Sequence, residues 1–159
     1  MDDQQRWRLD LKDSNVKVRA SAAENLCLAG CDSVAAAVDL VVACGDVEDV
    51  QNWAAAALED LGPPSVDSVV FLEPLIGSSR PLVGYWAATL LGRLGEDANR
   101  SQSILGQAVS GSPHLSVQER AAWALGKIGV TEASVVVSLK SAAASDSPRL
   151  ASLANRALA

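Results

Sequence analysis

Residues 117–129 read Val-Gln-Glu-Arg-Ala-Ala-Trp-Ala-Leu-Gly-Lys-Ile-Gly. Counting Val117 as position 1, apolar residues stand at positions 1, 5, 9 and 12, namely Val117, Ala121, Leu125 and Ile128. Steps of four, four and three residues trace one face of an α-helix. Gly129 follows where such a helix should stop, in a left-handed C-terminal residue. The same reading recurs in full at 18–30, 50–62 and 83–95, closed by Gly30, Gly62 and Gly95, and in shortened form at 150–159. The starting positions 18, 50, 83, 117 and 150 lie 32, 33, 34 and 33 residues apart. A near-constant period of this length is the signature of a solenoid. Each unit has one apolar stripe that it cannot bury alone, so neighbours must stack.

Between these helices, here called B helices, a second and more variable set is predicted at 2–12, 32–44, 65–76, 97–109 and 132–145. These A helices carry their own apolar sets, such as Val69, Leu72 and Ile76. Pro74 falls inside the third and should remove a hydrogen bond to Val70 and bend it. Pro81 and Pro148 suit the first turn of their B helices, where amides have no intrahelical partner. Asp13, Asp46 and Asp146, with Ser79 and Ser112, are predicted N-caps or helix-start groups. The chain thus divides into helix pairs at about 2–30, 31–62, 63–95, 96–129 and 130–159, forming a single repeat domain over 1–159.

The B-helix pattern resembles the HEAT repeat family, in particular the short PBS-lyase type. The matching residues are Val18-Arg19 with Ala22-Ala23, Val50 with Ala54-Ala55, Val83 with Ala87-Ala88, and Val117 with Ala121-Ala122. Leu91–Gly95 and Leu125–Gly129 carry the closing Leu-Gly-x-(Leu/Ile)-Gly. Arginine at the second position stands only at Arg19, with Gln51, Gly84, Gln118 and Ala151 elsewhere. The resemblance implies an all-α fold, a right-handed α-solenoid of about five two-helix HEAT-like repeats, with B helices lining the concave side. It also implies that enzymes are among the relatives. Di-iron hydroxylases of this type use repeated His-Glu motifs, whereas the single histidine here, His114, is followed by Leu115. Bilin lyases share the repeat, and a lyase-like or chaperone role stays open.

Composition narrows the function further. The net charge is −6, the isoelectric point is near 4.7, and no Lys/Arg cluster stands against that average. Nucleic-acid affinity rests on neutralising phosphates, so nucleic acid is an unsuitable partner. The most apolar run, residues 34–44, is too short to cross a bilayer and contains Asp39. The polar start Met1-Asp2-Asp3-Gln4-Gln5 is no signal peptide, and Cys27, Cys31 and Cys44 are expected reduced, in the cytoplasm. Cys27 and Cys31 lie either side of Gly30 and should not form a metal site. His114, beside Pro113, reads as a solvated residue at a helix start. Neither a P-loop nor a nucleophile-elbow or dinucleotide motif is present, so no catalytic residue, cofactor or metal is expected.

Large side chains collect on the B-helix face away from the stripe. Trp53 and Trp86 stand at position 4, Trp123 at position 7 and Tyr85 at position 3, with Arg93, Glu119, Arg120 and Lys127 on the same face. Half-exposed Trp and Tyr beside Arg are common binding anchors. These residues form the expected site for a protein or peptide, and the acidic balance favours a neutral or basic one. The other reading is that position 4 tucks between successive B helices, so the tryptophans only fill gaps. Asp39, Asp67 and Glu73 are expected on a solvated convex face. At the C-terminal end Val135, Val136, Val137, Leu139, Leu150, Leu153 and Leu158 suggest either self-association or cover from further sequence.

Overall fold

The computed structural model describes residues 1–159 and contains only helices and their connections. The B helices are α2 (Val16–Ala29), α4 (Glu48–Glu59), α6 (Pro81–Leu94), α8 (Leu115–Ile128) and α10 (Pro148–Leu158). The A helices are α1 (Asp3–Asp10), α3 (Ala37–Ala43), α5 (Val69–Leu72), α7 (Gln102–Gly111) and α9 (Ala133–Ala143). Each A helix packs on its own B helix. Successive hairpins then stack as an α-solenoid, with α2 along α4, α6 along α8 and α8 along α10. The stripe does what its period demands: Val50, Ala54, Leu58 and Leu61 are buried, as are Val117, Ala121, Leu125 and Ile128.

Gly30 and Gly95 end α2 and α6 with φ near +60° and ψ of −134°. This is not the left-handed helical cap expected, but a region that only glycine reaches without strain. From both glycines the chain turns directly into a seven-residue 3-10 helix, Gly30–Ala36 and Gly95–Ser101. The second and fourth A elements therefore begin as 3-10 turns. The third is broken by Pro74, with α5 giving way to a 3-10 turn at Glu73–Leu75. The stretch Val16–Ala43 is long and apolar enough to pass as a membrane span by length and composition alone, which the shorter run 34–44 did not reveal. The Gly30 turn divides it, and its two halves pack within the solenoid.

The expected N-caps are displaced. The caps are Asn15, Val47, Arg80, His114 and Ser147, and only Asn15 satisfies a first-turn amide with its side chain. Asp13 and Ser112 act two residues earlier, accepting from the amides of Asn15 and His114. Ser78 and Ser145, not Ser79 and Asp146, do the same for Arg80 and Ser147. The connection closes as a side-chain turn ahead of the helix, so its polar residue stabilises the loop. Position 2 pins the same loops from the other side. Arg19 donates to the carbonyls of Asp13 and Ser14, Gln51 to that of Cys44, and Gln118 to that of Ser112. Glutamine thus replaces arginine in this role.

The A side is not the solvated acidic face expected. The Asp39 side chain is 13% exposed and accepts from Arg8 at 2.7 Å, with Lys12 at 3.1 Å. Glu73 is 18% exposed and is held by Arg100 at 3.1 Å and Ser101 at 2.9 Å. Both carboxylates tie one A element to the next, and Asp67 alone of the three is exposed. At the C-terminal end Val135, Leu139 and Leu150 are buried, Val136, Leu153 and Leu158 half-buried, and Val137 exposed.

Candidate functional site

Repeat register determines where the large B-helix side chains go. Position 4 of one B helix faces position 3 of the preceding one: Arg120 of α8 donates to the hydroxyl of Tyr85 on α6. Its guanidinium lies 4.4 Å from the Tyr85 ring centroid and 4.9 Å from that of Trp123. Position 7 faces the preceding helix as well. Trp123 lies over Gly92 of α6, so closely that a Cβ there would come within 2.4 Å of the indole. These helices approach because Gly84 and Gly92 have no side chains to hold them apart. The result is a pocket of about 200 Å³ lined by Tyr85, Glu119, Arg120 and Trp123, with Ser116, Arg149 and Leu153. Glu119 pairs across it with Arg149 at 3.3 Å.

Four of the eight residues singled out from the sequence therefore meet in one place. The others do not. Trp86 is only 3% exposed and is a correction: its ring is core, unavailable to a partner. By the same register it points toward α4, and there α4 and α6 hardly approach each other. Tyr85 meets Trp86 edge-on, centroids 5.4 Å apart. Arg93 lies 5.6 Å from the Trp86 centroid and donates to the carbonyls of Leu58 at 2.6 Å and Glu59 at 3.2 Å. It thus bridges to the end of α4, where unpaired carbonyls favour a cation. Burial lowers the Arg93 pKa and the charge of Glu59 opposes this. Trp53 is 37% exposed on α4, outside the pocket, and Lys127 lies 5.9 Å from the Trp123 centroid. Ser116, Arg149 and Leu153 were missed. Leu153 holds position 4 of the shortened last repeat, the signal that could have found it.

The charge on this face is divided. Glu24, Glu59 and Asp60 belong to α2, α4 and the end of α4, whereas Arg120, Lys127, Arg149 and Arg156 belong to α8 and α10. The end that holds the pocket is cationic, against the expectation drawn from net charge. A roomier depression of about 590 Å³ opens on the A side among Pro74, Ile76, Ile104, Gln107 and Pro113. Its charged lining residue, Glu73, is already paired with Arg100, which leaves Ser78, Ser79, Gln107 and Ser112 as its uncharged polar lining. His114 is the N-cap of α8, not part of the pocket. Burial pushes the Cys44 thiol up to about 12, and raises that of half-buried Cys27 with help from Asp60 and Glu24. Cys31 is exposed.

Solved structures share this architecture. An engineered protein superposes with a TM-score of 0.65 at 19% identity, covering 99% of this chain and 78% of its own. A designed armadillo repeat protein in complex with the peptide (KR)4 gives 0.63 at 14% identity, over 99% and 81%. A chain from the complex of CpcE and CpcF of phycocyanin lyase, from Nostoc sp. PCC7120, gives 0.65 at 25% identity, over 99% and 64%. No curated protein matches the sequence. The family model described as HEAT repeats matches residues 69–159, from α5 to the last residue. With the 33-residue spacing behind it and stacked helical hairpins throughout, the chain belongs to the HEAT repeat family.

Proposed function

We propose that this chain is a non-catalytic scaffold of the cytoplasm that holds a protein or peptide segment on its concave B-helix face. One observation carries the reading: Tyr85, Arg120 and Trp123, all half-buried, line an open pocket between α6, α8 and α10. Rigid aromatic surface beside a guanidinium gives large contact area at low entropic cost. The pocket needs no cofactor or nucleophile to act as a docking point. A designed repeat protein of like architecture is seen in complex with the peptide (KR)4, which supports peptide binding by such a stack without assigning a face or a partner. Trp123→Ala tests it. In a pull-down from the native organism, wild-type protein should retain a partner that the variant loses, with thermal unfolding little changed. Equal retention by both would discard the face.

A second reading has support in the likeness to a phycocyanin lyase chain. There the scaffold would serve a chromophore-bearing or modified protein as an accessory or lyase-like subunit. Titration with an open-chain tetrapyrrole separates the two. An absorbance shift that Trp123→Ala abolishes would promote the second reading, and an unchanged spectrum would leave the scaffold.

A further inference from the structure

This inference rests on the B-helix face as a docking surface and concerns what the pocket recognises. Arg120 is fixed but not neutralised. Its guanidinium lies between the rings of Tyr85 and Trp123, and one N–H goes to the Tyr85 hydroxyl. The attraction of a cation to two aromatic faces orients the group and leaves its charge intact. The adjacent carboxylate, Glu119, is engaged elsewhere, with Arg149 at 3.3 Å. Arg120 has no carboxylate of its own, and the rest of its N–H fork is free to donate. Arg93 is near enough for like-charge repulsion with Arg120, and Lys127 stands 5.9 Å from the Trp123 centroid. The pocket therefore holds one acid against two arginines, with further cations at its margin.

We propose that this pocket receives the carboxylate of an Asp or Glu side chain within the partner segment. Arg120 donates to the carboxylate as a planar fork, a pairing that guanidinium geometry favours. Tyr85 and Trp123 wall the methylene stem, and Ser116 adds a hydroxyl to the lining. At about 200 Å³ the pocket has room for one side chain. The B-helix face runs on past it, over α4 and α2 on one side and α10 on the other. A segment lying on that face crosses the pocket instead of ending in it, so the carboxylate is a side chain and not a chain terminus.

Two randomised peptide libraries test this on immobilised full-length protein, one blocked at both ends and one with free C-termini. Wild type should enrich Asp or Glu at one position of the blocked library. Arg120→Gln should cut that enrichment about tenfold, the worth of one charge-assisted hydrogen bond. Glu119→Gln should raise it about threefold, by removing a like charge and releasing Arg149. A gain of this kind cannot come from misfolding. Acid preference confined to free C-termini overturns the side-chain assignment. Peptides retained without acid preference, or with a basic one, overturn the inference and leave the docking face standing. Retention of no peptide from either library overturns both.

Discussion

Two neighbouring junctions on the same face are built in opposite ways. Between α6 and α8 the backbones come close, because Gly84 and Gly92 leave room for Val117 and Trp123. Between α4 and α6 the backbones stay apart, Trp86 is buried, and arginines reach across at both ends. Arg80 donates to the carbonyl of Asp46 at 3.3 Å, and Arg93 to that of Leu58 at 2.6 Å. Both junctions carry a tryptophan, and they give it opposite fates. Where a glycine faces the indole, the ring lies on the surface of a tight seam and lines a pocket. Where the helices part, the ring becomes the filling. Trp53 and Trp86 hold the same position 4 yet are 37% and 3% exposed, so repeat position alone does not decide whether an aromatic stays at the surface or is packed away.

The largest test of this contrast is Trp86→Ala. Removing a buried indole costs about 3–5 kcal/mol when the site cannot collapse, and Arg93 would lose the ring beneath it. Repeat arrays hold together through neighbour interfaces, so a weakened junction should uncouple the two sides. Urea unfolding should split into two transitions, with α1–α4 melting apart from α6–α10. A single transition shifted by less than about 1 kcal/mol would show that the arginines hold this junction without the tryptophan.

The glycine junction predicts a smaller effect with a built-in control. A Cβ on Gly92 would stand 2.4 Å from the Trp123 ring and 3.0 Å from the Ala124 Cα. Overpacking costs about 1–3 kcal/mol, against a helix-propensity gain of about 1 kcal/mol. Gly92→Ala should therefore lose about 1 kcal/mol net and push Trp123 outward, which acrylamide quenching would register. At Gly126 the nearest atoms belong to Ala157 at 3.6–3.8 Å, an ordinary contact. Gly126→Ala should gain about 1 kcal/mol from propensity alone. The same substitution at the same repeat position in two successive seams, α6 with α8 and α8 with α10, is expected to change sign, and equal signs would break the comparison.

These examples show what was legible in the sequence. The stripe at positions 1, 5, 9 and 12 was, because helical periodicity and core burial are one fact seen twice. So were the four closing glycines, the chain's sole residues with positive φ. Tyr85, Glu119, Arg120 and Trp123 could be put on one face by register. Trp86 could not be told from Trp53, since both hold position 4 and differ only in the spacing of helices ahead of them. Asp39 and Glu73 looked solvated because their arginines lie 31 and 27 residues away in sequence. Arg149 and Leu153 escaped because the last repeat was read for its stripe and not for its outer face.

The smallest effect belongs to the loop edge, where Asp46 joins the stack on both sides. It accepts from Arg19 at 2.7 and 2.9 Å, which ties α2 to α4, while its carbonyl takes the bond from Arg80 toward α6. The Arg19 hydrogen bonds hold the Asp46 carboxyl below its ordinary range, aided by the Val47 amide and the charges of Arg19 and Arg80 and opposed by burial. A depressed native pKa contributes stability that is complete above the unfolded value, near pH 4, and fades as pH falls through the native one. Asp46→Asn lacks that contribution at every pH. Wild type should therefore lead the variant in denaturant midpoint at pH 7, and the lead should close below about pH 4. A gap that stays constant down to pH 2 would mean that shape, not charge, couples these loops, leaving α4 and α6 to the tryptophan and the two arginines alone.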